Sequence, residues 1–180
     1  WQLFASRLVR PARTVTAGPL VPLLPDGAEA DLEGVAVSGD GRTFYATGSH
    51  GVGKKKGDIE PSRRMVFRIP APAGDGAFGP AETSAALMDW VARNPVVGPY
   101  AGRPLQRNGF NIEGLAWRDG RLWFGVRAPN LDGDAFVIEA DPAALFPGTA
   151  PTATLHRVRV GPGLGLRELV AVRDGFILLT

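Results

Sequence analysis

Apolar residues in this chain come in short runs, and the runs come in pairs. "LEGVAV" (32–37) is followed by "RTFYAT" (42–47) and "MVFRIP" (65–70). Later, "EGLAW" (113–117), "RLWFGVR" (121–127) and "AFVIEA" (135–140) repeat the scheme, and "LVAV" with "FILLT" closes the chain. Runs of this length, rich in β-branched and aromatic residues and bounded by Gly and Asp, predict strands. The segments "GDG" at Gly39–Gly41, "RDG" at Arg118–Gly120 and "RDG" at Arg173–Gly175 predict the turns, because Gly takes positive φ at little cost. "TATLHRVRV" (152–160) alternates and predicts one more strand.

The pattern breaks between Ala71 and Gly109. "APAGDGAFGPAE" and "PVVGPYAGRPLQRNGF" predict loops. Between them "TSAALMDWVARN" predicts a helix near Ser84–Arg93, capped by Thr83 or Ser84, with Leu87, Trp90 and Val91 on one face. "DPAALF" predicts a second helical turn, with Asp141 as cap and Pro142 at the first helical position.

Three strand pairs open on related wording: "DLEGVAVSGDG", "NIEGLAWRDG" and "LRELVAVRDG". Each places a glutamate (Glu33, Glu113, Glu168) before an apolar run and a Gly-ending turn. A sandwich has no reason to repeat its sequence, whereas a propeller repeats one four-stranded unit per blade. The fold expected is all-β, with propeller-like repeats of antiparallel strands and one short helical insertion. Residues 1–29 read as an N-terminal strand and linker. Residues 30–180 read as the propeller-like domain, with the insertion at about 71–109. The chain stops just after a strand, which suits either a piece of a longer protein or a strand that closes a ring.

Composition narrows the field slightly. The 180 residues are 44% hydrophobic and 21% charged, ordinary for a globular domain. A formal charge of +2 argues against a sequence-specific nucleic-acid binder. Without Cys there is no disulfide framework and no Cys-ligated metal. No apolar run is long enough for a transmembrane helix. The start "WQLFASRLVR" lacks the order of a signal peptide and does not begin with Met. A soluble protein is expected, either cytoplasmic or exported with its signal removed; oligomeric state is not written in the sequence.

The combination of "DLEGVAV", "TFYATGSHG" and "KGDIEPSRRMVFRI" with "NIEGLAW", "GRLWFGVRAP", "GDAFVIEADP" and "GLRELVAV" resembles the bacterial DUF3616 family, a domain of unknown function, from roughly Ala30 to the end. More distantly, the Glu-Gly-apolar-Ala signature is similar to phytase-like esterase domains and to gluconolactonase/regucalcin-like propellers. The resemblance implies a Glu at the start of an inner strand near a central channel, and in the lactonases that Glu binds a divalent metal.

Repeat-equivalent residues of successive blades converge on one axis. Glu33, Glu113 and Glu168, with Asp31 and Asn111, are therefore candidate ligands for a divalent cation such as calcium, which takes six to eight oxygens. Alternatively, each Glu accepts backbone N–H bonds and locks neighbouring blades. His50, after the first hairpin, and Arg127, after the second, are expected on one rim as candidate catalytic groups. His50 read otherwise is a solvated or hydrogen-bonded surface residue. Lys54, Arg63, Arg64 and Arg167 are candidate contacts for a small-molecule or anionic ligand, although a basic loop is usually just solvated. His156 carries no assignment. "GVGKKKG" lacks P-loop spacing, and EF-hand and Gly-x-Ser-x-Gly patterns are absent. Two functions fit these residues: a cation-assisted hydrolase of a small ester, lactone or phosphoester, or a non-catalytic binding module presenting rim loops to a protein or glycan.

Overall fold

The paired runs form antiparallel meanders. The computed structural model describes residues 2–4, 20–24, 28–53, 57–72, 77–146 and 151–180. Strands β1 (Gln2–Phe4) and β2 (Leu20–Pro22) pair with each other. The first large sheet runs β3 (Leu32–Val37), β4 (Thr43–Gly48), β5 (Val66–Pro70), β6 (Glu82–Ser84) in that spatial order. The second runs β7 (Asn111–Arg118), β8 (Arg121–Leu131), β9 (Asp134–Ala140), β10 (Ala153–Arg159). The last hairpin is β11 (Glu168–Val172) with β12 (Gly175–Leu179). The fold is therefore mainly β, with two short helices, α1 (Ala86–Arg93) and α2 (Pro142–Leu145). Sheets of four, four and two strands do not close a ring among the described residues.

Turn chemistry sets the register of the second sheet. Asp119 and Gly120 both have positive φ, as do Asp132 and Gly133. These two-residue turns match the right-handed twist of the strands they join. The helix is shorter than expected at its start, because Glu82–Ser84 pairs with β5 as an edge strand. Ser84 still accepts the Ala86 N–H at 3.2 Å, and Leu87, Met88 and Val91 are buried. Trp90 packs at the margin of the core. At α2 the Asp141 carboxylate accepts the Ala143 N–H, and Pro142 sits in the first turn as expected. The stretch expected as an insertion at 71–109 thus contributes a strand to the first sheet before it becomes helix and loop.

The sheets stack through their first strands. Strand β3 packs on β7, and β7 packs on β11. The main core lies between the two large sheets. There Ala36, Tyr45 and Val66 meet Leu115, Phe124 and Ile138, α1 adds Leu87 and Val91, and Tyr45 stacks on Trp117 at 5.5 Å. A second core joins the other face of the second sheet (Ala116, Ala135, Val137) to Leu166 and Leu169. The far face of the first sheet (Ala46, Phe67, Ile69) packs on Val21 and Leu23. Burying a side chain such as Phe67 or Phe124 contributes on the order of 2–3 kcal/mol.

Two glycines make the stacking possible. A Cβ on Gly34 would lie 2.7 Å from the Leu115 Cβ, and one on Gly114 would lie 2.9 Å from the Leu169 nitrogen. This is why Gly follows Glu in the first two copies: the next first strand passes directly over it.

Candidate functional site

The pairing of β3 with β4 skips one residue. Leu32 opposes Gly48 and Gly34 opposes Thr47, so Glu33 is the extra residue of a register shift. The same happens in the second sheet. Ile112 opposes Val126 and Gly114 opposes Gly125, leaving Glu113 unpaired; one step further, Asn111 opposes Ala128 and leaves Arg127 unpaired. These are β-bulges, which bend a strand and re-aim a side chain. Glu33 and Glu113 therefore occupy equivalent bulges on neighbouring first strands. Glu113 and Arg127, from adjoining bulges on opposite strands, form an ion pair.

Both glutamates line one cleft of about 590 Å³ at the starting ends of β3 and β7. Its described walls carry the carboxylates of Glu29, Asp31, Glu33, Asp58, Glu60 and Glu113, the guanidiniums of Arg63 and Arg127, and the polar side chains of Ser49 and Asn111. Arg63 holds the rim together. It donates to Glu29 at 2.7 Å and lies 3.7 Å from Asp31. The Glu29 hydrogen bond, outweighing partial burial, raises the Arg63 pKa further above its ordinary value. Asn111 is only 8% exposed, and its Oδ1 is fully buried with no hydrogen-bond partner among the described residues. A buried acceptor left unpaired costs about 1–3 kcal/mol, so its place at the cleft wall calls for a donor.

Glu168 does not join the other two. It pairs regularly with Leu179, and its carboxylate accepts the N–H of Leu169 at 2.8 Å. It lines a separate groove, with Val35, Leu115 and Val170. The expected convergence of three glutamates is thus a convergence of two. The reason is register. In the second sheet the hairpin loop is Asp119–Gly120 and Arg118 opposes Arg121; in the last it is Arg173–Asp174 and Val172 opposes Gly175. Matching the loops shifts the third copy by one residue, and a one-residue shift turns every side chain to the other face. Arg167 then stands where Glu33 and Glu113 stand, and its guanidinium lies 3.6 Å from the Glu113 carboxylate. Gly165 makes this approach possible, since a Cβ there would lie within 2 Å of the Arg127 carbonyl oxygen.

His50 is not on a rim. It is fully buried with φ of 55°, a left-handed conformation. The Thr47 hydroxyl lies 3.1 Å from the Gly48 carbonyl oxygen and 3.0 Å from His50 Nε2, and Nδ1 has no hydrogen-bond partner among the described residues. Burial, with the Arg64 charge adding to it, pushes the imidazole pKa down to about 3. His50 is therefore neutral at pH 7 and sealed from any ligand in the cleft. Arg64 also faces away from the cleft: it donates to the Ala101 carbonyl at 2.8 Å, and burial lowers its pKa. Arg63 lines the cleft, Arg167 approaches it through Glu113, and Lys54 lies outside the described residues. His156, which carried no assignment, pairs with Glu139 at 2.9 Å on the second sheet.

Among the described residues no group of three or more His, Asp or Glu side chains is arranged to hold a metal ion. Glu113, moreover, is already engaged by two guanidiniums that would repel a cation placed beside it. Sequence reading missed Glu29, Asp58, Glu60 and Ser49 as cleft residues. It also missed the bulges, whose one signal was a Gly inside a strand pattern.

Stacked antiparallel meanders, with a polar cleft where their first strands begin, define the class of this protein. Within it, the chain belongs to DUF3616, a family described as proteins of unknown function, whose model matches residues 76–180. That match covers the second sheet, the last hairpin and part of the first sheet, a shorter span than the resemblance drawn from Ala30 onward. No curated protein matches the chain, so the esterase and lactonase similarity gains no relative.

Proposed function

We propose that the stacked sheets are successive blades of a propeller, and that the cleft between the first two binds a small, donor-rich polar ligand without acting on it chemically. The observation that carries the binding reading is the Asn111 Oδ1, buried and without a partner among the described residues, at the wall of a cleft where six carboxylates outnumber two guanidiniums. Acceptors on this scale recognise hydroxyl or ammonium donors, and the volume suits a small metabolite. The blade reading is supported by the β3–β7–β11 stacking and by the two equivalent bulges. Absence of catalysis is supported by chemistry. The histidine of this region is neutral and enclosed, and Glu113 is held in an ion pair by Arg127.

One observation favours the second reading, a cation-assisted hydrolase. Two bulged glutamates and an amide oxygen share a cleft, and hard cations select such oxygen donors. Calorimetric titration with 1,4-diaminobutane, sorbitol and calcium, each in separate runs, tests both. Binding of the diamine or the polyol, weakened about tenfold or more in Asn111→Ala, is the expected result, a change of about 1.4 kcal/mol. Calcium binding lost in Glu33→Gln would replace the first reading with the second. No binding by either organic probe, or binding indifferent to Asn111, would sink the proposal.

A further inference from the structure

A second cavity, of about 400 Å³, adjoins the acidic cleft and shares Leu105 and Arg127 with it. Its character is opposite. Arg127 and Arg167 both line it, and among the described residues no Asp or Glu side chain does. Its two asparagines are already committed. The Asn108 amide donates to the Asn130 carbonyl and accepts the Asn130 N–H, both at 2.9 Å, while the Asn130 amide donates to the carbonyls of Gly161 and Leu164. These bonds fix the 161–166 loop that, with Gly165 against Arg127, brings Arg167 beside Arg127. The charged donors that line the cavity are the two guanidiniums.

Both guanidiniums meet the same carboxylate, Glu113. The Arg167 contact, at 3.6 Å, is longer than a hydrogen bond, and its side chain is half-exposed. Planar N–H donors of two neighbouring guanidiniums therefore border one cavity, the arrangement that takes oxyanions in a forked manner.

We infer that Arg127 and Arg167 form an oxyanion subsite, which takes a carboxylate or phosphate group of a small ligand whose hydroxyl or ammonium donors reach the neighbouring acidic cleft. Glu113 stands between the two subsites and competes with the anion for both arginines. This extends the binding reading above, but the two can fail separately, because anion and donor probes address different walls.

The test uses the whole chain and titrates inorganic phosphate and acetate separately, at low ionic strength, by calorimetry. Arg167→Gln should weaken binding of the preferred anion about tenfold or more, since it removes a charge-assisted partner. Glu113→Gln should have the opposite sign and tighten it several-fold, because the internal competitor is gone. Arg173→Gln, in the exposed turn of the last hairpin and outside both cavities, should change it little. Which probe binds better distinguishes a carboxylate from a phosphate group. Binding that survives Arg167→Gln unchanged, or that falls in Arg173→Gln instead, would overturn the subsite, as would a failure of both anions to bind. If Glu113→Gln does not fold, Arg167→Lys decides: keeping the charge but losing the fork should cost part of the affinity, and full affinity would count against the proposal.

Discussion

The first two Glu-containing strands and the third begin with nearly the same words and end as different structures. In β3 and β7 the glutamate sits on a bulge, and the Gly after it lets the next strand pass. In β11 the glutamate is regularly paired, and the residue after it is Leu169, almost fully buried against Ala116 and Val137. One position in the repeat must therefore be empty in one copy and full in another. The contrast teaches that a repeat in sequence fixes the kind of element but not its register, and register decides which side chains reach a site.

Exchange of the two residues is the most severe way to break that comparison. Gly114→Leu would force a side chain into the backbone of residues 168–169, and Leu169→Gly would empty a filled core position. Each should cost about 3 kcal/mol or more, read as a fall in the urea midpoint. A mild effect from either would mean that the sheets do not stack as described.

Next in size is His50, which is fully buried beside the Arg64 charge. His50→Ala should cost about 2–3 kcal/mol, through a lost hydrogen bond, a cavity and a left-handed backbone that Ala tolerates poorly. The pH dependence gives a second readout. The folded state keeps the imidazole neutral down to about pH 3, whereas the unfolded chain takes up a proton near its ordinary value of 6.5. Stability from this group is therefore complete above pH 6.5 and lost as pH falls towards 3, by up to about 1.4 kcal/mol per unit. In His50→Ala that portion of the acid slope should vanish. An unchanged slope would place the acid sensitivity elsewhere.

A smaller effect distinguishes the glutamates themselves. Glu113→Gln leaves Arg127 without its carboxylate and should cost about 1–2 kcal/mol, while Glu168→Gln, which loses one contact with its neighbour's N–H, should cost about 0.5 kcal/mol. Equal losses would restore the equivalence that the register denies. Smallest of all, the melting temperature in calcium should match that in chelator, because Glu113 is already neutralised by arginine. A rise of several degrees in calcium would mean that the glutamates bind a cation after all.

Much of the fold was legible because its signals are local. Asp-Gly turns, alternation in β10 and the Asp141-Pro142 start of α2 depend on neighbours in the chain. The site was legible only in part. Glu33, Glu113, Arg63 and Arg127 were found by repeat equivalence and charge, and all four line the cleft. Glu168 was assigned by the same logic and lies elsewhere, because "RDG" at 173–175 looks like the earlier "RDG" but pairs one residue differently. His50 was read as accessible since nothing in "GSHG" reveals that the Arg63–Arg64 turn and the start of β7 would cover it. Burial of a polar residue is a tertiary property, and a single sequence carries no local mark of it.

The bulges also bear on how such a site can be gained or lost. Ile112 and Leu115 both enter the main core although three positions separate them, which a regular strand does not allow. The unpaired Glu113 absorbs the difference. Struck from the chain, it would leave Ile112 and Leu115 two apart and still facing the same way. Glu33 is the extra residue of the equivalent bulge in β3, where Leu32 packs with Ala46 and Phe67 while Val35 is exposed. Glu113 is thus an insertion in an otherwise regular strand, and a chain without it would keep the apolar frame of β7 in phase. Deletion of Glu113 should therefore lower the urea midpoint less than deletion of Ala116, which sets the residues after it out of phase.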